Sequence, residues 1–397
     1  MVHQLPIGAK DLLPLDVVQK HWIEQRLNQT FRSWGYHQII TPTLEKLDTL
    51  VAGGAVQPQS VIQLQGEHGQ ILGLRPEFTA SIARAYASRL AAGDPQRLYY
   101  HANVFRQGDA TQETYQAGVE LLGAEGALAD AEILLLLANC LQHLELPTWD
   151  LILGHIGITK TLLTIFPVDD RPNIRQSLAN LDRVQLESIS SPWQDLALSL
   201  FDLRGEPSLV LQKLDQLCDR AQTLMPEWWQ INCEHIQAQT AKLRTLVSLW
   251  PNHSLILDLS LIQSFDYYTG IVFEVVSGYE AIAQGGRYDH LLEIYHPQHI
   301  SHAGIGFCLN LENLQKVLVG QLPQQVSGCS WLVVASSSSY VEEAFAYAAK
   351  LRQQEQSVEI YLEFAPEEVV HTYAQNRNLT QIAWIDQQIK ITDLKTN

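Results

Sequence analysis

Gln263-Ser264-Phe265-Asp266-Tyr267-Tyr268-Thr269-Gly270-Ile271-Val272-Phe273-Glu274 is the most informative stretch of this chain. After Gly270 the side chains alternate through Val272, Glu274 and Val276, which predicts a strand with one face on a core and one face on a pocket. Tyrosines 267 and 268 point to opposite faces if that strand is regular, so one faces the pocket while the other packs. Adjacent tyrosines serve equally well as core or rim residues, because the ring is apolar and the hydroxyl wants a partner. Ala283-Gln284-Gly285-Gly286-Arg287-Tyr288-Asp289 follows. Its glycine pair permits close backbone approach to a ligand, although hairpin turns use Gly-Gly as well. Arg287 and Asp289 are spaced to pair.

Two earlier segments carry polar residues of the same kind. Leu74-Arg75-Pro76-Glu77-Phe78-Thr79 is a strand-to-helix junction, with Pro76 suited to the first helical position of a helix over 75–90. Glu77 is favoured there by the helix dipole alone. Alternatively, Glu77 and Thr79 edge a pocket and accept hydrogen bonds from an α-ammonium group, which an ionised acceptor does strongly. Val104-Phe105-Arg106 and Tyr115-Gln116-Ala117-Gly118-Val119-Glu120 predict adjacent strands across a polar loop. Gln116, Gly118 and Glu120 then share one face, with Gly118 leaving room for a small ligand between two polar groups. A solvated sheet face is the alternative. Glu120 is suited to accept an imidazole N–H, and Arg106 to face a carboxylate or phosphate.

The 397 residues exceed one compact domain and suggest two or three. With 46% hydrophobic and 17% charged residues, sizeable cores are available. The net charge of −17 weighs against a protein whose main task is gripping nucleic acid, since phosphates are neutralised by Lys and Arg. Five scattered cysteines without zinc-like spacing suggest reduced thiols in a cytoplasmic setting. No signal-peptide core and no membrane-length apolar run are expected. Helical periodicity marks 17–34 and 130–144; strands are expected at 38–42, 61–64, 71–74, 98–105, 115–122 and from 255 onward. A helical insertion is expected over about 159–251. After a polar linker, 328–397 alternates strand (331–335), helix (341–353), strand (358–362), helix and strand (382–385) as a small α/β domain.

In this order and spacing, these segments resemble the catalytic core of histidyl-tRNA synthetases, a class II aminoacyl-tRNA synthetase family. Leu5-Pro6-Ile7-Gly8-Ala9-Lys10-Asp11-Leu12-Leu13-Pro14 shares in the resemblance, and 35–45 is similar to that family's dimer-interface motif. The resemblance implies an α+β fold over 1–320, an antiparallel sheet flanked by helices, and a self-dimer through the core. It implies that Glu77, Thr79, Gln116, Glu120 and Tyr268 hold histidine, with Tyr267 and Arg106 beside them. The 328–397 unit resembles a curtailed anticodon-binding domain, but with acids such as Glu342, Glu343, Glu363, Glu367 and Glu368 it offers poor footing for RNA.

Three departures bear on catalysis. Gln263 stands where the family carries the arginine that works on the α-phosphate of ATP, and a neutral amide supplies no such charge. In Gly306-Phe307-Cys308-Leu309-Asn310-Leu311-Glu312-Asn313-Leu314, Asn313 replaces an ATP-gripping arginine and Asn310 a glycine. The loop 107–114 holds no Lys or Arg. One preorganised group is worth on the order of 10²–10³ in rate, so these losses should abolish carboxylate activation. The pattern resembles the regulatory subunits of ATP phosphoribosyltransferase, catalytically silent paralogues of the synthetases. That resemblance implies no catalytic residues, metal or cofactor. It implies a short-form catalytic subunit as partner at the first step of histidine biosynthesis, with L-histidine as effector. A divergent but active histidyl-tRNA synthetase, or a synthetase-like sensor for another partner, are the alternatives.

Overall fold

A computed structural model describes residues 5–6, 8–90, 94–108, 112–189, 193–251, 253–261, 267–326 and 328–394. The chain divides into two compact units, Met1–Leu322 and Pro323–Asn397. The larger is built on a sheet that, among the described residues, has nine strands. Their order is His37–Gln38, Gln96–Phe105, Glu113–Leu122, Gly304–Asn310, Glu280–Arg287, Ile271–Ser277, Asp150–His155, Ser254–Asp258 and Arg204–Gly205. From Gln96–Phe105 across to Asp150–His155 every neighbour is antiparallel. The α+β architecture expected above is therefore present.

Period-two alternation sends each strand's residues to two different environments. Ala117, Val119 and Leu121, Ile305, Phe307 and Leu309, and Phe273 and Val275 bury in one large core. The helices Pro14–Ser33 and Ala127–His143 supply its other side through Ile23, Leu27 and Phe31 and through Ile133, Leu137 and Leu141. The Ala127–His143 helix is apolar nearly all round, which suits a helix with core on more than one side. The opposite sheet face carries a smaller core of Leu98, Tyr100, Leu122 and Val272 with Ile82 and Tyr86 from the helix Thr79–Arg89. That second face, polar at its centre, bears the pocket.

The insertion is helical: Ile156–Leu163, Arg171–Ala179, Arg183–Glu187, Trp193–Phe201, Pro207–Leu224 and Pro226–Leu249. The strand Asp150–His155 precedes it, in a stretch the periodicity left unread. Two expected boundaries move for identifiable reasons. The helix expected over 75–90 begins at Thr79, because the Glu77 carboxylate takes the Thr79 and Ala80 N–H groups, the latter at 2.9 Å. The strand expected over 38–42 stops at Gln38. Beyond it, the Arg75 guanidinium takes the carbonyls of Thr41 (2.8 Å) and Pro42 (3.2 Å), and Pro42 has no N–H to offer a ladder. The hairpin Gln63–Gln65/Ile71–Leu74 forms as expected, its turn using left-handed His68 and Gly69.

The smaller unit has strand order Val358–Ile360, Trp331–Ala335, Gln381–Ile385, Lys390–Asp393, the first three parallel. Val341–Gln353 and Glu367–Asn376 cover its two faces. The strand expected over 358–362 ends at Ile360, and the polar edge strand Lys390–Asp393 was not anticipated.

Candidate functional site

Three neighbouring strands present their pocket faces in register: Gln116, Gly118 and Glu120 lie opposite Asn310, Cys308 and Gly306, and Gln284 lies opposite Cys308. The Pro76–Thr79 segment closes one side and Tyr267, Tyr268 and Tyr288 another. All seven residues singled out from the sequence, Glu77, Thr79, Arg106, Gln116, Glu120, Tyr267 and Tyr268, line this one pocket. Phe78, Tyr100, Gln284, Gly285, Tyr288, Gly306, Phe307 and Cys308 line it too; of these only Gly285, in the glycine pair, had been expected near a ligand. Alternation along each strand was legible; the register that sets Cys308 beside Gly118, or Tyr100 across from it, was not.

Glu120 is the buried floor of the site. Its Oε1 accepts from the Thr79 hydroxyl at 2.8 Å and its Oε2 from the Tyr288 hydroxyl. Gly306 makes this possible, since a Cβ there would lie 2.0 Å from the same Oε2. Burial pushes the Glu120 carboxyl up to about 8, against the pull of the Tyr288 and Thr79 hydroxyls and reinforced by the charge of Glu77. Burial also raises Glu77, while the Ala80 and Thr79 N–H groups and the Arg106 charge oppose the rise. Tyr100, Tyr267, Tyr268 and Tyr288 are all raised by burial and stay neutral hydroxyls. Burial lifts the Cys308 thiol to about 11, so it is not a thiolate.

Three expectations change. Tyr267 and Tyr268 both line the pocket, their ring centroids 4.7 Å apart, because they precede the Ile271–Ser277 strand and escape its alternation. The room above Gly118 is taken by Tyr100, whose hydroxyl would lie 2.6 Å from a Cβ there. Gly286 similarly accommodates the Tyr268 ring, at 2.8 Å, rather than a ligand; only Gly285 of the pair lines the pocket. Arg287 does pair with Asp289 (2.9 Å), and with Asp130 (2.7 Å), in a buried ion cluster away from the pocket lining.

Arg106 is the only cationic side chain among the described residues that line the pocket. Its Nε donates to the Pro76 carbonyl at 3.1 Å, which ties it to the Pro76–Thr79 segment. A second recess continues from Arg106, Gln116, Gln284 and Cys308 to Ala281, Ile282, Ala283 and Asn310, and adds no further cation. Asn310 caps the Leu311–Val317 helix by accepting from the Asn313 N–H at 2.9 Å. Asn313 donates to the Ala281 carbonyl at 2.8 Å, so it ties helix to strand. Gln263 lies outside the described residues, as do 109–111 of the 107–114 loop. Among the described residues no helix is long and apolar enough to cross a membrane.

Residues 8–314 match the family model described as histidyl-tRNA synthetase. The chain is 52% identical to the "ATP phosphoribosyltransferase regulatory subunit" of a Cyanothece species, with 97% of each chain covered. It is 47% identical, with the same coverage, to the protein of that name from a Nostoc species. Among solved structures, the "ATP phosphoribosyltransferase regulatory subunit/histidyl-tRNA synthetase" from Bacillus halodurans superposes with a TM-score of 0.78 at 26% identity, covering 97% of this chain and 98% of that one. A Nostoc histidyl-tRNA synthetase gives the same TM-score at 20% identity over 98% and 94% of the two chains, which speaks for the fold alone. A synthetase fold whose described pocket lining holds one cation, together with about half of the residues identical over nearly the whole chain to proteins of that name, leads to one assignment: the chain belongs to the histidyl-tRNA synthetase family and, within it, to the regulatory subunits of ATP phosphoribosyltransferase.

Proposed function

We propose that this chain is the regulatory, non-catalytic subunit of an ATP phosphoribosyltransferase and that its pocket senses L-histidine. The relatives' shared name supports the assembly with a catalytic subunit, which carries out the first step of histidine biosynthesis. The observation that carries the ligand is the charge balance: two carboxyls, the buried Glu120 and the half-buried Glu77, against the single Arg106 among the described lining residues. A buried acid without a cation is costly, so the site is matched to a ligand that brings donors to both ends and an anion between them. Histidine supplies an α-ammonium for Glu77, Thr79 and Gln116, a ring N–H for Glu120, and a carboxylate for Arg106, with Tyr267 and Tyr268 against the ring. Occupancy then favours one arrangement of the complex, giving feedback inhibition.

Self-association through the core is part of the same proposal. Ile40, Leu44, Leu64 and Ile71 are exposed near the small sheet Leu44–Lys46/Ile71–Leu74/Gln63–Gln65, and Ile40 retains 85% of its accessible surface.

Titration calorimetry of the chain with L-histidine tests the ligand, using Glu120→Ala as the variant. A bond to a charged group is worth about 1.5–3 kcal/mol, so the variant should bind at least roughly tenfold more weakly. The reconstituted complex should lose its inhibition by histidine in parallel. Inhibition that survives unchanged removes the pocket assignment. Histidine-dependent ATP–pyrophosphate exchange by the purified chain would instead favour an active synthetase.

A further inference from the structure

The Glu120 carboxylate is held by two neutral hydroxyls that reach it from opposite sides of the pocket, Thr79 from the head of its helix and Tyr288 from the end of the Glu280–Arg287 strand. The Tyr288 side is built with care. Its N–H donates to the Gly304 carbonyl at 2.7 Å, and its ring lies where a Gly304 Cβ would be, 2.4 Å away. Gly304 and Gly306 are two apart on one strand, hence on one face, and Gly306 leaves the space into which Oε2 turns. Together the two glycines form a trough in which the tyrosine hydroxyl and the carboxylate meet. Tyr267 packs edge-on against the Tyr288 ring, centroids 5.9 Å apart, and limits its rotation.

We propose that Tyr288 is a positioning residue that makes Glu120 a hydrogen-bond acceptor as a ligand enters, so that the pocket takes only amino acids whose side chain ends in an N–H donor. This rests on the assignment of the pocket to histidine and adds the chemistry by which the ring is chosen. Both hydroxyl donors favour the ionised carboxylate, as does a ring N–H, whereas burial and the Glu77 carboxyl favour the protonated form. The other titratable groups around Glu120 are the neutral hydroxyls of Tyr100, Tyr267 and Tyr268 and the neutral Cys308 thiol. The Arg106 charge acts on Glu77 and Cys308. Ligand entry therefore completes the set of donors, and Glu120 gives up its proton as the ring N–H arrives. A side chain of similar shape without an N–H leaves a buried acceptor unpaired, the situation in which sites discriminate most strongly.

The test is calorimetry of the full-length chain with L-histidine between pH 6.5 and 8.5, for wild type and Tyr288→Phe. The variant keeps the ring and loses the hydroxyl, so the Glu120 carboxyl should titrate at higher pH. The ratio of wild-type to variant affinity should be roughly tenfold at pH 6.5–7, the size expected of one hydrogen bond to a charged group, and should shrink as the pH rises. A ratio that stays constant across that range is what a merely structural role produces, and it overturns the proposal. A second measurement uses wild type alone, so a variant that fails to fold does not end the matter. With 1,2,4-triazole-3-alanine, whose ring keeps an N–H and stays neutral near pH 7, binding should release a proton, measured in buffers of different ionisation enthalpy. Binding without proton release at pH 7 also overturns the proposal. If wild type binds histidine but shows neither signature, the clamp falls and the histidine site stands; if wild type takes up no histidine, both fall together.

Discussion

Glu120 makes the pocket a liability to the fold. Its carboxyl is lifted from the ordinary carboxylate range to about 8, with burial as the chief cause. The folded chain therefore holds a proton that the unfolded chain surrenders above about pH 4.3. Where the folded state binds more protons, stability falls as pH rises, here from near the unfolded value up to about 8 and no further. Glu77, raised in the same direction, adds to the slope. Glu120→Gln keeps the shape and abolishes the titration. Unliganded Glu120→Gln should accordingly melt a few degrees above wild type at pH 8, with the gap closing at pH 5. A thermal scan at both values checks this, and a lower melting temperature at pH 8 would mean that the two hydroxyl bonds outweigh burial. The identity of this carboxyl as a pocket residue was legible from Gln-x-Gly-x-Glu; its unusual acidity was not, because burial comes from Tyr100, Tyr268 and Tyr288 on distant segments.

The strand Gly304–Asn310 shows how little slack the sheet allows beneath the site. A Cβ at Gly306 would lie 2.3 Å from the Val119 carbonyl and 2.0 Å from Glu120 Oε2. Backbone on one side and a clamped carboxylate on the other leave no direction of retreat, so Gly306→Ala should cost about 1–3 kcal/mol, read by denaturant unfolding, and abolish histidine binding. Stability equal to wild type would show that the strand can shift. The exposed apolar row around Ile40 makes a separate prediction. Ile40→Asp should convert the proposed dimer to monomer by sedimentation equilibrium, with little change in the monomer's own stability, since Ile40 contributes almost nothing to the described core. Periodicity placed most helices and strands of both units. It missed the strands Asp150–His155 and Lys390–Asp393, and its boundaries slipped where a side chain took backbone groups: Glu77 at the head of a helix, and Arg75 on the carbonyls of Thr41 and Pro42.

Taken as a whole, the chain combines a proposed sensing pocket with a described lining that holds one cation, Arg106. If histidine changes the affinity of this subunit for its catalytic partner by some factor, the partner must change the affinity for histidine by the same factor. Couplings of about 5–150-fold are typical, so calorimetric affinities for the isolated chain and the reconstituted complex should differ within that range. Subunit dissociation measured with and without histidine should show the matching factor. Equal histidine affinities in the two states would mean that occupancy of this pocket is not what the complex responds to.

Much of this protein could be read before it was seen folded: the α+β class, the seven residues that share a pocket, and Asn313 standing where the resemblance implies a cation. The fold class, the full set of seven and the meaning of Asn313 came from the resemblance of ordered motifs to a family; alternation and residue chemistry alone marked Glu77, Thr79, Arg106, Gln116 and Glu120 as polar residues suited to a pocket. The Tyr288–Glu120–Thr79 clamp, the tyrosine that fills the space over Gly118, and the capture of Arg287 by Asp130 required the folded chain. The clamp and the ion pair join segments 41 to 168 positions apart, as between Thr79 and Glu120 or Glu120 and Tyr288, while Tyr100 and Gly118 meet across neighbouring strands. No local pattern encodes such a meeting, because the register of strands from distant segments is settled only when the sheet assembles and buries its faces.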